Sequence, residues 1–152
     1  QMKPTINCVN CIKRWEKFKP LPYLDSGGVW TIGYGTIMYP NGKRVTKFDA
    51  PLTEPEAHKI LMYFLNRFAK GIDAATRDDI TPNQFDALCS LAYNIGIDAF
   101  RRSTLLRIAN TKPNDPKIRS QFMRWVYDNG VVVNGLVNRR KYEADMYFSH
   151  LV

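Results

Sequence analysis

The 152-residue chain has three cysteines, two histidines and no apolar run near the roughly 18 to 20 residues of a membrane span. An odd set of thiols, of which only Cys8 and Cys11 lie close together, argues against a secreted disulfide framework. Cys8-Val9-Asn10-Cys11 has the CxxC form, but no second CxxC and no neighbouring histidine complete a zinc site. Both thiols fall on an apolar helix stripe, so core packing is the expectation and neither metal nor cofactor is. His58 and His150 stand alone, which suits surface or capping roles better than ligation. The stretch Lys3 to Lys13 lacks the long apolar core of a secretory signal, and no repeat, low-complexity tract or linker interrupts the chain. Acidic residues are few beside basic ones, 14 against 22, giving a net charge of +8 and a pI near 9.5. Such a field favours an anionic partner, whether nucleic acid, acidic membrane surface or carboxylate-rich cell wall.

Apolar residues make up 45% and aromatics 12% of the sequence, enough for one well-packed domain. Thr5 is placed to cap a helix over about 5–18, with Cys8, Cys11, Ile12 and Trp15 as its buried stripe and Glu16 near its end. Pro20 and Pro22 end that helix and predict an exposed crossing to Asp25. Val29 to Val45, with a turn at Pro40-Asn41-Gly42, reads as a small antiparallel sheet. Strand alternation puts Trp30, Ile32 and Tyr34 on one face, and Val29, Thr31, Gly33 and Gly35 on an open one. Thr53-Glu54-Pro55-Glu56 is a capping box for a long helix over about 53–77. Thr81-Pro82-Asn83-Gln84 repeats that signal for a helix ending near Gly96, and further helices are expected over 98–110, 115–127 and 135–148. The expected fold is α+β: a small β lobe over about 19–52 and a larger helical lobe over about 80–152, joined by a long helix and separated by a groove.

Two carboxylates across a groove are what acetal cleavage needs, one protonated to serve the leaving oxygen and one to manage water or positive charge. Glu16, behind an apolar stripe, suits the acid. Asp25 lies in a wetter Pro- and Gly-rich crossing, and the Thr31 hydroxyl is suited to holding a water beside it. Each residue type alone is ordinary at its position: a surface helix carboxylate, a turn aspartate, a β-branched strand residue. Arg139 and Arg140 are candidates for an ion pair with Glu16, which would oppose the effect of burial on its protonation.

Glu16, Asp25 and Thr31 at this spacing, with Gly28-Val29-Trp30-Thr31-Ile32-Gly33-Tyr34-Gly35 around the threonine, resemble the phage-type lysozymes of glycoside hydrolase family 24. The resemblance continues through Gln84-Phe85-Asp86-Ala87-Leu88, Ala92-Tyr93-Asn94-Ile95-Gly96, Ser103-Thr104-Leu105-Leu106, Arg124-Trp125 and Gly135-Leu136-Val137-Asn138-Arg139-Arg140. It implies a lysozyme-like fold and a muramidase of bacterial peptidoglycan. The bond cut would be the β-1,4 bond between N-acetylmuramic acid and N-acetylglucosamine, with inversion and no cofactor. Glu16 would be the acid and Asp25 with Thr31 would manage the water. By motif position Ile37, Tyr93, Asn94 and Ser103 would contact substrate. Many relatives carry histidine after Gly-Tyr-Gly, where this chain has Thr36, so an ion pair made by that histidine is lacking. A monomer without specific nucleic-acid binding is implied, made in the host cytoplasm and acting on the periplasmic wall. A DNA-binding module or a non-catalytic wall binder would leave the Glu, Asp and Thr set unexplained, and a lytic transglycosylase would not need Asp25 and Thr31.

Overall fold

The computed structural model describes residues 1–149, so His150 lies outside it. Helix α1 (Ile6–Glu16) starts at Thr5, whose hydroxyl accepts the Asn7 N–H at 3.2 Å. Cys8, Val9, Cys11 and Ile12 form its buried stripe, while Trp15 is half-buried edge-on to Tyr142. The helix stops at Lys17, earlier than expected, because that residue turns into positive φ (61°).

The residues after it form a strand and not an open crossing. Strand β1 (Lys19–Leu24) pairs antiparallel with β2 (Trp30–Gly33), matching Tyr23 with Thr31 and Leu24 with Trp30. Two prolines are tolerated because, among the described residues, β1 pairs with β2 alone and its register is irregular between Lys19 and Tyr23. Beyond β2 the expected strand breaks. Ile32 and Thr36 exchange two backbone hydrogen bonds of 2.9 Å around a tight Gly33-Tyr34-Gly35 loop, and a separate bridge joins Met38 to Arg44 across the predicted turn. Alternation therefore ends at Gly33. That glycine packs against Ala57 and Leu52 instead of opening onto a ligand face, and Gly35 backs onto the Glu16 side chain.

Helix α2 (Glu54–Ala75) carries the predicted capping box, in which Thr53 and Glu56 satisfy each other's backbone N–H groups. Its 22 residues span about 33 Å, and it touches β2 at one end and the helices of the larger lobe at the other. Helix α3 (Pro82–Ile95), with a second capping box at Thr81, is buried continuously from Gln84 to Ala92. Such all-round burial marks the centre of a lobe, and α1, α2 and the last helix all pack on it.

The helix expected over 98–110 is two, α4 (Ile97–Arg101) and α5 (Thr104–Thr111), because Ser103 leaves the helix and caps α5 through the Leu106 N–H at 3.1 Å. The one expected over 115–127 ends early as α6 (Lys117–Phe122). A short hairpin follows, β3 (Tyr127–Asp128) and β4 (Val131–Val132), turned by Asn129 and Gly130 at positive φ. Helix α7 (Asn134–Tyr147) closes the chain. Among the described residues, no helix is long and apolar enough to cross a membrane.

Asp86 on α3 ties α1 to this core. Although fully buried, it accepts the Thr5 N–H at 2.8 Å and the Thr5 hydroxyl. Burial raises its pKa, and the two Thr5 bonds only partly oppose that. A raised folded-state pKa contributes stability below the unfolded value that is lost as pH rises through the folded one. Asp86→Asn keeps the acceptor for the Thr5 N–H and removes the buried charge. Thermal melts should therefore show the variant more stable than the parent at pH 7, with the difference closing as pH is lowered. A constant difference at every pH would contradict this account.

Candidate active site

A groove of about 630 Å³ separates the two lobes. Its polar groups include Glu16 from the end of α1, Asp25 from the turn after β1, Thr31 from β2 and Asn94 from α3. Phe64 and Phe68 of α2, with Tyr93 of α3, give it an aromatic wall, and Arg44 and Arg67 line it as well. The chain pattern that places Glu16 here is simple: α1 buries one stripe on α3 and ends at Lys17, leaving its last side chain at the lobe junction.

The Glu16 side chain is 18% exposed and its Oε2 accepts a 2.6 Å hydrogen bond from Nη1 of Arg139. Arg139 is almost fully buried and uses its other nitrogens as well, Nε to Glu143 Oε2 at 3.2 Å and Nη2 to the Ser90 carbonyl at 3.3 Å. Glu143, with no exposed surface, also takes a 2.5 Å bond from the Ser90 hydroxyl and faces Nε of Arg140 at 3.2 Å. Nη2 of Arg140 in turn donates to Oδ1 of Asn94. Burial lowers the Arg139 pKa, but Glu143 and Glu16 together outweigh it and leave the value raised. For Arg140 burial wins over the attraction of Glu143 and the value is pushed down to about 10.

Asp25 is half-buried, and its Oδ1 accepts the Gly27 and Val29 N–H groups at 2.9 and 2.8 Å. Those bonds close the turn between β1 and β2 and hold the carboxylate at the groove, while Oδ2 takes no hydrogen bond from the described residues. The Thr31 hydroxyl is buried (3% exposed) and donates to the Val29 carbonyl at 2.9 Å, so its lone pairs are what remains for another donor. Tyr23, the strand partner of Thr31, lines the same groove. Burial, then Glu16 and Asp25, raise its pKa.

Of the expected substrate contacts, Ile37 lines the groove and is 43% exposed. Tyr93 lines it too, and its hydroxyl donates to the Tyr34 carbonyl at 2.8 Å. Asn94 lies beside them. Ser103 does not join this groove. It borders a second depression of about 460 Å³ with Arg102, Gln121 and Arg124, and its hydroxyl is engaged with the Phe100 carbonyl at 2.7 Å and the Leu106 N–H.

Sequence reading missed Tyr23, the closeness of Gly35 to Glu16, and Glu143. Only Glu143 had a legible signal: Arg139-Arg140-x-x-Glu143 places both arginines within one helical turn of a carboxylate. Cys8, Cys11 and Cys89 are buried and unpaired, and burial pushes the Cys11 thiol up to about 12. Among the described residues no group of three or more His, Cys, Asp or Glu side chains is placed to hold a metal ion.

Comparison with known proteins places this groove in a wider set. The family model described as phage lysozyme matches residues 13–143. The endolysin of Bacillus phage B103 is 35% identical over 143 residues, covering 93% of this chain and 52% of that protein. The chain thus spans about half the length of the Bacillus phage endolysins it matches. Among solved structures, an endolysin from Escherichia coli O157:H7 phage FAHEc1 superposes with a TM-score of 0.89 at 34% identity, covering 99% of this chain and 96% of that one. The muramidase domain of SpmX from Asticaccaulis excentricus gives 0.83 at 27% identity, with 98% and 99% covered. The lysozyme-like α+β fold and a match over most of the sequence agree: the chain belongs to the phage lysozyme family.

Proposed function

We propose that the chain is a lysozyme-type glycoside hydrolase of bacterial peptidoglycan that serves phage-driven lysis of the host. It cleaves the β-1,4 bond between N-acetylmuramic acid and N-acetylglucosamine with inversion. The observation that carries this reading is one groove holding two carboxylates in contrasting settings, Glu16 against a buried arginine and Asp25 in a backbone-anchored turn with one oxygen free. Glu16 is the general acid that protonates the leaving glycosidic oxygen. The attacking water donates one proton to the free Asp25 oxygen and the other to the Thr31 hydroxyl, which can only accept because its own proton is committed to Val29. A water held by both protons turns its lone pair toward the anomeric carbon, and Asp25 draws off the proton as the bond forms. The aromatic wall of Phe64, Phe68 and Tyr93 packs against sugar faces, with Ile37 and Asn94 beside it. The net charge of +8 draws the enzyme to an anionic wall. It acts as a monomer, and synthesis in the host cytoplasm precedes action in the periplasm.

Digestion of purified peptidoglycan followed by mass spectrometry tests the reaction. Hydrated muramic acid reducing ends are expected, whereas anhydro-muramoyl ends would replace hydrolysis by transglycosylation. Proton NMR of the first products should show the inverted anomer. Asp25→Asn keeps the Oδ1 acceptor and so the turn, but loses the base. Its kcat should fall about 10²-fold or more with little change in melting temperature. A variant as active as the parent would remove Asp25 from the mechanism.

A further inference from the structure

An arginine touching a general acid poses a chemical problem. A contact cation lowers a carboxyl pKa by about 1 to 3 units, and a general acid must keep its proton at the working pH. Here the contact is 2.6 Å and the arginine is buried, where charge interactions are strongest. The arginine is not free, however. Its Nε is bound to Glu143, a second carboxylate with no exposed surface, and Arg140 completes the cluster. Two arginines thus face two carboxyl groups inside the helical lobe, and only one of those carboxyls reaches the groove.

We propose that Glu143 is a positioning residue for the reaction: by sharing the Arg139 guanidinium it limits how strongly that arginine holds the carboxylate form of Glu16. This rests on the reading of Glu16 as the acid. The fork geometry supports the division of labour, because Nη1, Nε and Nη2 of Arg139 each meet a different acceptor, Glu16, Glu143 and the Ser90 carbonyl. The Ser90 hydroxyl, itself in contact with the Cys11 thiol at 3.4 Å, fixes Glu143 from the α3 side. Glu143 therefore sets both the direction and the net charge of what Glu16 sees from α7. Arg140 adds weight to the argument, since without Glu143 both arginines would act on Glu16 uncompensated. Among the other groups, Arg67 from α2 and Arg44 from the loop after β2 line the same groove, and their charges act alike on Glu16 in the parent and in a Glu143 variant. Tyr23 from β1 and Tyr93 from α3 are neutral at the working pH, and Asp25 lies across the groove. Thr31 from β2 and Gly35 from the loop after it add no charge.

The test is the pH dependence of peptidoglycan cleavage by Glu143→Gln, which keeps the shape and one acceptor oxygen for Ser90 and Arg139 but removes the anion. With the compensation gone, Glu16 gives up its proton more readily. The alkaline limb of the rate profile should move down by about one pH unit, so rates on that limb fall about tenfold. Rates at the acid end should change much less. Glu143→Asp, which retains the charge, should return the limb toward its parental position. If Glu143→Gln merely lowers the melting temperature and leaves the limb in place, Glu143 is structural and the proposal is wrong. Should the variant not fold, the parent protein decides: carbon-13 NMR of labelled glutamate must show Glu143 as a carboxylate throughout the pH range of activity, and a protonated Glu143 would overturn the idea. Failure of the functional reading looks different, since the parent itself would then release no reducing ends.

Discussion

Replacing Glu16 by Gln should reduce wall lysis by about 10²- to 10⁴-fold while leaving the protein folded, the largest single effect expected in this molecule. The substitution preserves size and keeps a side-chain oxygen for Nη1 of Arg139. It removes only the transferable proton. Stability should survive because Arg139 retains Glu143 and the Ser90 carbonyl as acceptors. That separates this variant from one that removes the arginine, which would strand a buried carboxylate at a cost of about 3 to 5 kcal/mol. Loss of turbidity of outer-membrane-permeabilised cells, read beside the thermal melt, checks both halves. Full activity in Glu16→Gln would end the assignment of the acid. An inactive and unfolded protein would instead show that the Glu16 and Arg139 pair is needed for the fold.

The positions that sequence made legible are those where one backbone signal acts alone. Thr53 and Thr81 announce α2 and α3 because a capping threonine, a proline inside the helix start and a Glu or Gln three residues on all satisfy the same orphan N–H groups. Glu16, Asp25 and Thr31 fall on one groove because a helix end, a turn and a strand converge there, and their spacing was readable. What was not readable depends on contacts between distant segments. The prolines of β1 look like a break in isolation, yet β2 supplies a partner that an edge strand accepts. Ser103 sits inside a helical pattern, but the competition between continuing α4 and capping α5 is settled by packing around Phe100, which is fully buried. The Asn129-Gly130 turn carried a hairpin signal that two-residue strands were too short to reinforce. Glu16 shows the limit most clearly. Sequence could name burial and arginine as opposing influences on it, and the spacing of Glu143 to the arginines is legible, but its link to Glu16, 127 residues earlier, forms only when α7 packs on α3.

Gly35→Ala should cost activity out of proportion to stability, and Gly42→Ala is the control that isolates why. Both glycines have positive φ, 75° and 87°, so an alanine at either strains the backbone by about 1 to 2 kcal/mol. At Gly42 the added methyl meets nothing within 4 Å. At Gly35 it would fall on the carboxylate of Glu16. A flexible side chain normally swings away from such a contact, but this one is bonded to a buried arginine that has three acceptors of its own. The conflict is therefore resolved by moving Glu16 out of its place in the groove, and displacement of a catalytic group by about 1 Å is worth on the order of 10² in rate. The two variants should melt at similar temperatures, both below the parent. Gly42→Ala should keep near-parental lysis, whereas Gly35→Ala should lose about 10²-fold or more. Equal activity in the two would mean that the close approach of Gly35 serves only the turn, and that the position of Glu16 is set entirely from the α7 side.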